Sequence, residues 1–155
     1  MSIYVFALLI GIIAGLRALT APAAVSWAAL LGWLPVENSW AAFMGYRYTP
    51  YIFTLLAVVE LVTDQFPSTP ARTVPQQFAA RVFSGALCGA VIGAASGPWI
   101  GGLIVGAIGA VIGTLGGYGA RKRLVAATGG RDLPIALLED AVAIVGAYLI
   151  VREAL

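Results

Sequence analysis

Between short polar loops the chain is apolar for 14 to 22 residues at a time, six times over. The stretches are Ile3–Leu19, Ala21–Leu34, Tyr51–Gln65, Phe78–Ser96, Trp99–Ala120 and Leu133–Val151. A helix needs about 20 such residues to cross about 30 Å of hydrocarbon. Composition closes off the soluble alternative. Of the 155 residues, 61% are hydrophobic and 10% charged, and the mean hydropathy is +0.95. A soluble domain carries about 25% charged residues and leaves roughly a third of its unfolded surface in water. The fold class is therefore all-α: a polytopic membrane bundle of five or six segments in one domain, residues 1–155. Its N-terminal stretch has neither a basic leader nor a cleavage site, and reads as a retained helix.

Two segments raise questions of length and direction. Ala21–Leu34 lies between Pro22 and Pro35 and reaches only about 21 Å. It is either a short tilted span or a re-entrant half-helix buried in protein. The stretch 36–50, with Trp40, Tyr46, Arg47 and Tyr48, suits an interfacial loop with an aromatic belt. Six of the nine basic residues (Arg72, Arg81, Arg121, Lys122, Arg123 and Arg131) fall in or beside stretches 65–81 and 121–132. The positive-inside rule places those stretches in the cytoplasm, and the C-terminus outside. The N-terminus is outside if the second segment spans, which Arg17 favours, and inside if it is re-entrant. A bacterial inner membrane is the expected location.

The counts also exclude chemistry. With no histidine, His-based acid/base catalysis, haem ligation by His and the usual zinc sites are out. The one cysteine, Cys88, sits in an apolar run and reads as a small packed residue. A net charge of +2 points to no nucleic-acid partner. No cofactor is expected, and the absence of nucleophile–base pairs argues against an enzyme. Asp64 and Asp140 lack the GxGD context of an intramembrane aspartyl protease.

Glycines recur at four-residue spacing: Gly85, Gly89, Gly93 and Gly97, then Gly102 and Gly106, then Gly109, Gly113 and Gly117. Such a face lets helix backbones touch, and its alternative use is a pore or lipid groove. Leu9-x-Gly11-x3-Gly15 and Leu87-x-Gly89-x3-Gly93 are each followed by a proline. LLAVVELVTD and IALLEDAVA each carry two acids. Three-plus-three inverted halves, a transporter arrangement, would explain both matches.

The acids carry the functional expectation. Glu60, Asp64, Glu139 and Asp140 lie in or at the edge of apolar segments, where each carboxylate is costly and usually meets a cavity or partner. Their positions put both pairs at similar depth in the cytoplasmic half. Together they suit a cation site of oxygen ligands or a proton path. The alternative is structural pairing with Arg17, Arg72 or Arg81. Arg17 with Thr20, and Ser68, Thr69 and Arg72 in the PSTPAR loop, are candidates for substrate binding or gating.

GLRALTAPAAVSWAA, ELVTDQFPSTPARTVP, GGYGARKRL and LLEDAVAIVGAY, in that order, resemble a bacterial membrane-protein family known as domain of unknown function 4126. The resemblance implies a small multi-helix inner-membrane protein and no particular activity. ELVTDQ is similar in chemistry to the E-x-G-D-[KR]-[ST] motif of Gdt-type cation/proton exchangers. Glu60 and Asp64 stand at its acids, with one extra residue between them, no glycine, and Gln65 at the basic position. The resulting expectation is a homo-oligomeric transporter or channel, in a lipid bilayer, for a small cation or protons. The alternative is a lipid-handling or helper protein using glycine faces and arginines.

Overall fold

The computed structural model describes residues 3–63, 75–130 and 132–153. Among them all regular structure is helical: α1 (Ile3–Leu16), α2 (Thr20–Leu30), a 3-10 turn η1 (Trp40–Gly45), α3 (Thr49–Thr63), α4 (Pro75–Ser96), α5 (Trp99–Ala127) and α6 (Asp132–Glu153). Three of these, α4, α5 and α6, are long and apolar enough to cross a membrane. By length, α1 and α2 reach only about 21 and 16 Å.

The first apolar stretch does not run unbroken to Leu19. Helix α1 stops at Leu16, and residues 17–19 lie outside helix before α2 begins at Thr20. Pro22 supplies the reason. In a continuous helix its nitrogen would have to donate to the carbonyl of Ala18, but it has no N–H and its ring crowds that carbonyl. In the first turn of α2 the missing donor costs nothing, because those N–H groups lack intrahelical partners anyway.

At this break the chain reverses. Tyr4 lies against Gly101, and Gly11 and Gly15 against Gly106 and Ala110, so α1 runs parallel to α5. Past the break, Trp27 meets Tyr51 of α3, and Trp33 beyond the C-terminus of α2 meets Tyr148 of α6. Helix α2 therefore returns toward the end from which α1 came. Trp40 touches Trp99 at that same end, beside the Gly97-Pro98 turn. The N-terminus, the α4–α5 turn and the end of α6 share it. At the opposite, basic end, Arg121, Lys122 and Arg123 belong to the last turns of α5 and not to a loop. Arg and Lys are good helix formers, so nothing stops α5 where its apolar run stops.

Helices α1, α4 and α5 form a tight trio. A Cβ on Gly11 would strike the Gly106 carbonyl, one on Gly89 the Gly102 carbonyl, and one on Gly113 the Ile12 carbonyl. A Cβ on Gly85 or Gly93 would come within 2.6 Å of Ala110 Cβ or the Pro98 carbonyl, respectively, and one on Gly109 would strike the Leu8 carbonyl. Two glycines of the pattern do something else. Gly97 turns the chain with φ of +114°, a conformation that suits residues without a Cβ, and Gly117 lines a shallow recess between α5 and α6. Around this trio, α2, α3 and α6 pack more loosely, and α3 meets the bundle mainly through α2.

Gly106→Ala should therefore cost about 1–3 kcal/mol through overpacking. Gly116→Ala, where nothing lies within 4 Å, should be neutral or stabilising. Thermal unfolding of the two variants in detergent measures the contrast.

Candidate functional site

A helix break inside a bundle leaves carbonyls exposed at the end of α1 and N–H groups exposed at the start of α2. Here side chains from other helices satisfy both. Arg81 of α4, 3% exposed, donates through Nη1 to the carbonyls of Gly15 (3.0 Å) and Leu16 (2.9 Å). Thr114 of α5 donates to Gly15 at 3.4 Å. Glu60 of α3 accepts from the N–H groups of Ala18 and Leu19, both at 3.0 Å. Ser84 of α4 donates to the Ala18 carbonyl, the very oxygen that Pro22 cannot serve. A cation thus faces the negative end of α1 and a carboxylate faces the positive end of α2, the arrangement a helix dipole favours.

The side chain within the break is Arg17, completely buried. Its Nε donates to Asp140 Oδ1 of α6 at 2.5 Å, and Nη2 closes on the same oxygen. Its Nη1 donates to the Leu16 carbonyl at 3.2 Å and lies 3.7 Å from Glu139. Glu139 in turn lies 3.8 Å from Arg121 of α5, so the chain of charges runs Asp140, Arg17, Glu139, Arg121. Ser84 and Asp140 sit about 12–14 Å along α4 and α6 from the basic end, and Glu60 is level with Ser84, since both bond to Ala18.

Two cavities flank α3. One of about 480 Å3 opens between α3 and α4 and is lined by Glu60, Ser84, Gln77, Phe83 and the break residues Ala18 and Leu19. The other, of about 430 Å3, lies between α2, α3 and α6 and is almost wholly apolar. Thr20, 7% exposed, is on its wall.

Of the residues singled out in the sequence, Arg17, Glu60, Glu139 and Asp140 converge on the break. They converge as acid–arginine and acid–backbone pairs. Among the described residues, no three carboxylates or thiols gather as a metal cage. Asp64, Ser68, Thr69 and Arg72 lie outside the described residues. Arg81, counted in the sequence as an orientation charge, is a buried cap on α1. Arg121, likewise counted as an orientation charge, reaches Glu139. Ser84 and Thr114 were not anticipated. Their signal was present: Ser84 and Thr114 are lone hydroxyls beside Gly85 and Gly113 on tightly packed glycine faces.

The family model for domain of unknown function DUF4126 matches residues 5–153, which include every one of these groups. The chain belongs to the DUF4126 family. No curated protein and no solved structure matches it. In this DUF4126 protein, then, the site rests on its own geometry.

Breaking a buried ion pair from one side strands the other charge, at about 3–5 kcal/mol, whereas replacing both with apolar groups is far cheaper. Arg17→Met alone should therefore destabilise more than Arg17→Met combined with Asp140→Leu. A double-mutant cycle from denaturation midpoints measures that coupling.

Proposed function

We propose that this DUF4126 protein is a small membrane transporter that moves protons or a small cation past the α1–α2 break, with Glu60 as the exchangeable carboxylate. The observation that carries the reading is the break itself, gripped by side chains of α3, α4, α5 and α6. Non-helical backbone at membrane depth is tolerated where protein buries it or where it lines a wet cavity, and discontinuous helices form the sites of many transporters. Buried charges are costly enough that an ionisable group there is a functional candidate by default.

Glu139 borders a recess of about 170 Å3, whereas Glu60 lines the larger 480 Å3 cavity between α3 and α4. A proton or cation arriving there competes with the N–H groups of Ala18 and Leu19 for the carboxylate oxygens. Protonation removes the negative charge that holds α3 to the positive end of α2. The hairpin and α3 then part more easily, and reionisation restores the clasp. Arg17, Asp140 and Glu139 keep the other side of the break fixed while this happens. The opposed directions of α1–α3 and α4–α6 agree with an inverted-repeat origin, and the basic end of the bundle is read as cytoplasmic.

A second reading, a lipid-handling or helper protein, is favoured by the apolar cavity between α2, α3 and α6. In that reading the glycine faces hold the helices together, and arginines meet lipid headgroups.

Proteoliposomes carrying an imposed pH or cation gradient separate the two. Glu60→Gln should reduce flux at least about tenfold, the scale of one lost charge-assisted interaction. Unaltered flux in that variant, or no flux with the native protein, overturns the transport reading.

A further inference from the structure

The apolar cavity has a shape and a rim that define its occupant. Its buried floor is formed by Ala23, Ala57, Ala147 and Val151, and it follows α2 from Thr20 to Leu31. That length is about 16 Å, close to the hydrocarbon depth of one leaflet, half of about 30 Å. The groove holds about 430 Å3 along that length, between walls that are almost wholly apolar. An extended hydrocarbon chain matches both the length and the walls.

The end away from the break is built for a headgroup. Trp33 and Tyr148 meet edge to face there, 6.0 Å between centroids, and both line the cavity. Arg152, one turn beyond, lies over the Tyr148 ring at 5.9 Å and donates to its hydroxyl at 3.3 Å. Tyr and Trp favour the membrane interface, and an exposed guanidinium at that level presents donors to phosphate. The groove therefore has apolar walls for one leaflet's depth, then an aromatic collar, then a cation.

We propose that this groove binds a phospholipid, with one acyl chain lying along α2 between α3 and α6 and the phosphate on Arg152. The lipid belongs to the leaflet at the end that holds the N-terminus and the α4–α5 turn. It fills the space that the short α2 leaves beside the longer α6, and so braces α3 from the side opposite Glu60. The site is separate from the break, and its occupancy is measured without reference to flux.

Native mass spectrometry of the purified full chain tests it, with dioleoylphosphatidylcholine as probe and oleic acid as the comparison ligand. The native protein should retain one phosphatidylcholine and hold oleic acid more weakly. Val58→Trp fills the groove from a half-exposed position on α3 and should abolish retention. Arg152→Gln, on the surface, should weaken it about fivefold, the worth of one interfacial arginine. Equal retention by Val58→Trp overturns the groove. Oleic acid bound as tightly as phosphatidylcholine, with no effect of Arg152→Gln, overturns the phosphate contact. A dimer abolished by Val58→Trp, with no retained lipid, replaces the lipid by a second copy and overturns the proposal.

Discussion

A helix interrupted inside a membrane bundle must find partners for the carbonyls at one end and the N–H groups at the other. The α1–α2 break meets that demand with Arg81 on the carbonyls of Gly15 and Leu16 and Glu60 on the N–H groups of Ala18 and Leu19. Those contacts set the depth to which the hairpin enters, and they tie α3 and α4 to it. Arg17 then reaches α6 from the same three residues. Remove the break and the reasons for Arg17, Glu60, Arg81, Ser84 and Asp140 disappear together.

The rest of the bundle divides by tightness. Helices α1, α4 and α5 approach until backbone meets backbone, because glycine removes the side chains that would hold them apart. This trio gives the break a closely packed wall. The outer helices carry ordinary side chains, and α3 is held mainly through α2 and η1. The cavity lined by Glu60 and the apolar one each border α3. The element with the least packing therefore stands between the charged cavity and the apolar one, and Glu60 is its polar link to the break. In a membrane such a helix moves at less cost than any of the trio.

Much of this was legible in order. Six apolar stretches became six helices with ends shifted by up to seven residues, and glycine spacing marked the faces that pack. The four acids stood out because the chain has so few charges, and three of them lie at the break. Less legible was their role. Apolar context marks a carboxylate as costly but does not say whether a cation, a water or an arginine compensates it. Arg17 and Asp140 are 123 residues apart, and no local pattern pairs them. The helix end at Leu16 was similarly hidden: Pro22 announced a boundary, yet apolar residues continue across residues 18 and 19 without a sign that the chain reverses.

By itself the sequence determined the apolar surroundings the helices suit, the helices themselves and a boundary near Pro22. These follow from local quantities: the length of an apolar run against the bilayer, and the missing N–H of Pro22 against the carbonyl of Ala18. Only the tertiary structure decided which side chains serve the interruption and where cavities remain. Both depend on helices distant in the chain arriving at one depth, where Arg81 meets the end of α1, Glu60 the start of α2 and Asp140 the arginine between them.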